Sequence, residues 1–258
     1  SQQMDMLHGP LGKNIVLFSL PIAASSILQQ LFNSADTAVV GRFDNARALA
    51  AVGTNGEIIS LFVSLFTGLS IGANVLIASY IGMGQKKRIE EAIHTVITIA
   101  LLSGVLMLVI GQGIARPLLQ MIDTPADVMD LAVEYLKLYF LGSPFLMLYN
   151  FGAAILRAKG DTKRPLYALL LSGAANVVLN LFFVIVCHMS VAGVALATDI
   201  STAISALIVM RCLQTEEEPF RFRWRKLSLR RDYCGRVFAI GLPAGVQGAV
   251  FCFFNVFI

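Results

Sequence analysis

The sequence predicts an all-α polytopic membrane protein: a six-helix transmembrane bundle followed by a seventh span. Three observations carry that fold class. Hydrophobic residues make up 57% of the chain and charged residues only 14%, against about 25% charged in an ordinary water-soluble domain. Apolar runs long enough to cross a bilayer, at about 1.5 Å of helix per residue, recur along the whole chain. The Lys and Arg residues alternate between the two ends of these runs, and 16 of the 20 fall on one set of loops. The net charge of +4 therefore sits between spans and makes no case for nucleic acid. Cys187, Cys212, Cys234 and Cys252 have no metal-type spacing and read as packing residues.

Seven spans are expected, at roughly 15–39, 49–80, 91–114, 131–156, 165–187, 190–213 and 237–258. The first carries a polar stripe: Ser26, Gln29, Asn33 and Asp36 follow at spacings of three and four and share one face. Such a stripe must face protein or water rather than lipid, and Pro21 should act as a hinge beneath it. The second span is long enough to tilt or protrude, and its Gly68 and Gly72 form a small-xxx-small pair suited to close helix packing. Glu57 and Lys137 are further candidate residues, each placed near a span end. His94, at the basic end of the third span, and His188, in the short loop at the other end, read as structural.

In the fourth span, Tyr135 and Tyr139 could offer a hydroxyl or an aromatic face to a cation. Interface anchoring is the preferred reading of Tyr135. The loop RAKGDTKRP reads structurally, with a turn at Gly160–Asp161 and a helix start at Pro165. Asn176 and Asn180, four apart, share a face of the fifth span. On the sixth, Thr198, Thr202 and Ser205 share a face with Asp199 beside them. Asp199 reads either as a second proton or cation site or as a snorkelled position.

The connection 214–236 has a basic-aromatic texture. It reads as a tether whose cations hold topology, or as a segment touching lipid headgroups. Leu20–Pro21 and Phe32–Asn33 recur 222 residues later as Leu242–Pro243 and Phe254–Asn255, which favours an internal repeat. On that reading residues 1–213 form a six-helix N-terminal lobe, 214–236 a cytoplasmic basic linker, and 237–258 the first helix of a truncated C-terminal lobe. The positive-inside rule places the N-terminus in the cytoplasm. No phosphate loop, zinc motif or nucleophile triad is present, so the chain reads as no enzyme, with no cofactor and no metal.

Several stretches resemble the multidrug and toxic compound extrusion (MATE) family: LPIAASSILQQLFNSADTAVVGR (20–42), GLSIGANVLIASYIGMGQ (68–85), ILRAKGDTKRP (155–165), NVVLN (176–180), GVALAT (193–198) and IGLPAGVQ (240–247). The resemblance implies one lobe and a further helix of a twelve-helix antiporter in a bacterial-type plasma membrane. It implies a monomer that exports small organic cations or drugs against an inward flow of protons or sodium ions. In proton-coupled members the carboxylate near the end of the first helix is the coupling group, matching Asp36, and its asparagine partner matches Asn176. An aspartate is frequent where this chain has Asn180, and the glutamate of sodium-type members falls on Phe251. A proton is therefore expected as coupling ion ahead of sodium. Asp36, Asn176, Asn180, Asp199 and Thr198 are the expected coupling residues, and Gln29, Asn33, Tyr139 and Thr202 the expected substrate cavity. Two other readings remain: a lipid-linked precursor flippase of related architecture, which would need cavity cations, and a truncated membrane fragment that does not transport.

Overall fold

The computed structural model describes residues 9–257, and side chains for all of these except Gln30 and 255–257. Residues 1–8 and Ile258, which the expected first lobe and last helix include, lie outside the described residues. Eight helices follow one another: α1 (Leu11–Phe43), α2 (Ala46–Gly82), α3 (Lys86–Met121), α4 (Met129–Leu141), α5 (Ser143–Ala158), α6 (Lys163–Leu181), α7 (Val191–Gln214) and α8 (Arg231–Phe257). The described residues contain no strand. Six helices are each long and apolar enough to span a bilayer, and α4 and α5, bent by 47° at their junction, pass the same test as a pair, which makes seven if the pair is one span.

That bend corrects the expectation of one continuous helix over 131–156. Pro144 sits in the first turn of α5 and brings no backbone N–H to the helical ladder, so the helix restarts at Ser143. The apolar run hides the break because hydropathy does not register a lost hydrogen bond. α1, α2, α3 and α8 run longer than expected, whereas α7 keeps the expected length. α2 has 37 residues, about 55 Å of helix, against a hydrocarbon core of roughly 30 Å. The Asn45 side chain caps it by accepting from the Ala48 N–H at 2.9 Å. α6 ends in a π-helical turn at Phe182–Val186. α8 begins at Arg231, so the last residues of the expected linker are already helical.

α2 is the mast of the bundle, touching α1, α3, α4, α5 and α7 and lying along α8 for much of its length. Gly68 and Gly72 permit that contact: a Cβ at Gly68 would collide with the Gly245 backbone, and one at Gly72 with the Val237 carbonyl and Gly241. Two apolar cores stack along the bundle. One surrounds Tyr80, Ile93, Met147, Phe151 and Leu213 at the end carrying the basic loops. The other surrounds Val40, Ala48, Leu119, Leu136 and Val194 at the opposite end.

Polar side chains join the helices where no water can. Asn55, fully buried, donates from Nδ2 to the carbonyls of Ala51 and Ala132, at 2.9 Å each. Asn74 donates to the Ala154 carbonyl at 3.0 Å. At the basic end the RAKGDTKRP loop does more than hold topology. Asp161 accepts from the backbone N–H groups of Lys163 and Arg164, at 3.2 and 3.1 Å, and starts α6. Lys159 and Arg164 both pair with the buried carboxylate of Glu216, clasping this loop to the segment after α7. His94 is buried there, its Nε2 accepting the Arg223 N–H at 3.2 Å. Its Nδ1 then carries the proton and donates to the Glu90 carbonyl at 2.7 Å.

Candidate functional site

Between the two cores lies a cavity of about 700 Å³ whose walls come from α1, α2, α4, α5, α6 and α7, with Cys252 of α8 at its side. The polar stripe of α1 supplies Gln29, Asn33, Asp36 and Thr37 to it, because spacings of three and four keep them on one face while Val39 and Val40 turn into the neighbouring core. The α7 stripe faces them with Thr198, Ser201, Thr202 and Ser205. All four hydroxyls bond back to their own helix: Thr198 to Val194 O at 3.0 Å, Ser201 to Thr198 O at 2.9 Å, Thr202 to Thr198 O at 2.8 Å and Ser205 to Thr202 O at 2.7 Å. Such back-bonding satisfies a hydroxyl donor within its own membrane helix.

Asp36 is the centre of the polar wall. It is 6% exposed and accepts a hydrogen bond from the Nδ2 of Asn180, which is fully buried. Asn176, one turn earlier on α6, and Thr198 of α7 turn polar atoms toward the same carboxylate. The two asparagines are therefore not equivalent. Asn180 holds Asp36 from behind the cavity, whereas Asn176 lines the cavity itself. The Oδ1 atoms of both have no hydrogen-bond donor among the described residues. An ionised Asp36 cannot serve them, since it only accepts; a protonated one brings an O–H.

Gln29, Asn33, Tyr139 and Thr202 all line the cavity. Asp199 does not. Its carboxylate packs against Gly142 at the α4–α5 break, where a Cβ would overlap it, and it forms no hydrogen bond or ion pair among the described residues. Pro21 lies inside α1, away from the cavity wall, with its carbonyl accepting from Ser25 Oγ at 2.9 Å.

Two placements correct the sequence reading. Tyr135 is no interface anchor: it is 5% exposed and lines the cavity beside Tyr139. Glu57, placed at a span end by its sequence position, lines the cavity as a second carboxylate. Glu57 lies eleven residues into α2 and Tyr135 six residues into α4, on the sides of those helices that line the cavity. Lys137 instead faces outward, its backbone carbonyl accepting from Gln112 at 2.8 Å. Tyr149, missed in sequence, also lines the cavity and donates to Pro165 O at 3.2 Å. Among the described residues, two carboxylates and no Lys, Arg or His line this space.

The MatE family model matches residues 21–182. The probable multidrug resistance protein YpnP of Bacillus subtilis is 31% identical, over 94% of this chain and 54% of that protein. A second protein of the same organism, the probable multidrug resistance protein YoeA, is 28% identical over 91% of this chain and 52% of its own length. A crystal structure of MATE in the bent conformation superposes with a TM-score of 0.88 at 26% identity, covering 96% of this chain and 55% of that one. A MOP superfamily transporter from Pyrococcus furiosus, for which a reversed polarity of the binding pocket suggests a different function, superposes at 0.86 and 26% identity over the same shares. The chain spans about half the length of the curated relatives it matches.

Proposed function

Because this chain belongs to the MatE family of multidrug efflux transporters, we propose that it supplies the cation-binding lobe of an antiporter that exchanges organic cations for protons through Asp36. The observation that carries this reading is the charge of the cavity. Asp36 and Glu57 line it and no basic residue among those described does, so it favours a positive guest over an anionic one. This weighs against the flippase alternative, whose anionic headgroup would meet two carboxylates. Tyr135, Tyr139, Phe32 and Leu146 add aromatic and apolar surface, which suits cations carrying a greasy body.

Asp36 is the coupling group in this reading. Ionised, it accepts from Asn180 and attracts the cationic drug. Protonated, it loses that attraction and gains a donor to offer Asn176 Oδ1, which otherwise has none among the described residues. Drug and proton then compete for one carboxylate. Exchange follows if the two forms favour different states of the transporter, since only differential affinity shifts such an equilibrium. Asp199, at the α4–α5 break, is a second proton-binding candidate whose ionisation would be felt at Gly142.

The test is efflux of a fluorescent organic cation from vesicles under an imposed proton gradient, with the complete reading frame and with and without sodium ions. Asp36→Asn is expected to abolish gradient-driven efflux while substrate exchange persists more weakly. Undiminished efflux in Asp36→Asn would refute the assignment and move the search to Asp199→Asn. Efflux that follows a sodium gradient alone would leave the family intact and replace the ion.

A further inference from the structure

At the end of the bundle that carries the basic loops, a second cavity of about 350 Å³ opens where the end of α2 meets the starts of α3 and α8. Four cations line it, Lys87, Arg88, Arg230 and Arg236, against two carboxylates, Glu91 and Asp232. Arg88 and Arg236 are held by an aromatic neighbour, and of the four cations Arg230 has an acidic partner, Glu91. Arg236 Nη1 donates to the Tyr80 hydroxyl at 2.9 Å, and the Arg88 guanidinium lies 5.8 Å from the centre of the Tyr80 ring. Glu91 is shared between the Tyr233 hydroxyl at 2.7 Å and Arg230 at 3.1 Å. Lys87 is exposed and has no ion-pair partner among the described residues.

We propose that this cavity binds the phosphate of an anionic phospholipid, whose headgroup sits among Lys87, Arg88, Arg230 and Arg236. Three features point to phosphate in a lipid. Arginine presents several N–H donors in a planar fork that matches phosphate oxygens. The residues lie toward the ends of spanning helices on the side that carries the basic loops, within reach of the headgroup layer. The adjoining connection exposes Trp224, Leu227 and Leu229, at 48%, 37% and 52%, interleaved with Arg223, Arg225 and Lys226. Apolar side chains alternating with cations suit the boundary between headgroups and acyl chains and have no use in binding a soluble anion. The basic-aromatic texture of this connection thus gains a ligand, and that assignment stands apart from the drug cavity and from Asp36.

Trp224 is the only tryptophan in the chain, so its fluorescence reports on this corner alone. The chain is placed in nanodiscs of unlabelled phosphatidylcholine, and brominated-acyl phosphatidylglycerol or phosphatidylcholine is added in increasing mole fraction. The anionic lipid is expected to quench at roughly tenfold lower mole fraction. That preference should vanish in Lys87→Gln/Arg230→Gln and survive in Lys13→Gln/Lys163→Gln, which removes the same charge from exposed positions outside the cavity. Lys87→Gln alone, at an exposed site, gives a smaller loss in the same direction should the double variant fail to fold. Equal quenching by the two lipids, or equal behaviour of the two double variants, would overturn the site. Quenching relieved by millimolar inorganic phosphate would keep the phosphate chemistry and assign it to a soluble ion.

Discussion

Glu216 illustrates how one buried carboxylate can set a local stability. Its side chain is 8% exposed and faces Lys159, itself 9% exposed, and Arg164. Burial pushes its carboxyl up, but the two cations outweigh that and hold it below the ordinary glutamate value of about 4.3. A depressed folded-state value means that the clasp contributes fully above the ordinary value and is lost as pH falls through the folded-state one. Glu216→Gln should therefore lower the unfolding midpoint at neutral pH, with a cost on the order of 3 kcal/mol because Lys159 is left buried and unpaired. The gap to wild type should begin to narrow as pH falls below the ordinary glutamate value of about 4.3 and close only below the lower folded-state value. A gap that stays constant into acid in thermal unfolding would show that the clasp is not the source. At this scale the sequence was partly legible. Gln29, Asn33 and Asp36 announce a shared face by spacing alone, and so do Thr198 and Thr202. Glu57 and Tyr135 do not, because a residue near the end of an apolar run can point outward or inward depending on which side of its helix lines the cavity. Glu216 could not be paired from sequence either, since its partners lie on another loop.

At the scale of elements, the contact between α2 and α8 rests on missing side chains. Gly68 and Gly72 bring α2 against the backbone of Val237, Gly241 and Gly245, so a methyl group there has nowhere to go. Gly53, on the same helix, has open space around its Cβ position. Gly68→Ala is expected to lower the stability of the detergent-solubilised protein by about 1–3 kcal/mol through overpacking. Gly53→Ala should be neutral or slightly stabilising, since alanine is the better helix former by up to about 1 kcal/mol. Equal midpoints for the two variants would mean that the helices part without cost and that the glycine seam is incidental. The seven spans were legible from hydropathy and from the alternation of basic loops, because both are set by the bilayer. The small-xxx-small pair was legible too, but not its partner: a glycine permits close approach without naming what approaches. The α4–α5 break lay open in Gly142–Ser143–Pro144, yet a reading that counts apolar residues passes over it.

For the whole molecule, the sign of the cavity decides what can enter. Solved relatives of this fold include one described as having a reversed pocket polarity, so architecture alone leaves the charge of the guest open. Here the two carboxylates differ in depth: Asp36 is 6% exposed, whereas Glu57 is exposed at the cavity wall. Water screens Glu57, and an exposed charge pair is worth at most about 1 kcal/mol. Glu57→Gln should therefore weaken binding of a permanently charged quaternary ammonium dye by roughly threefold, and the loss should shrink in high salt. Asp36→Asn acts where little water competes and should cost ten- to a hundredfold, with far weaker salt dependence. A neutral dye of the same shape should be indifferent to both changes, because aromatic and apolar walls still hold its body. Equilibrium binding by fluorescence anisotropy, with two dyes, two variants and two salt concentrations, separates these contributions. If the neutral dye loses as much affinity as the charged one, the carboxylates shape the cavity rather than select its guest. If only the charged dye responds, and Asp36 outweighs Glu57, depth in the bundle sets the order of the two acids.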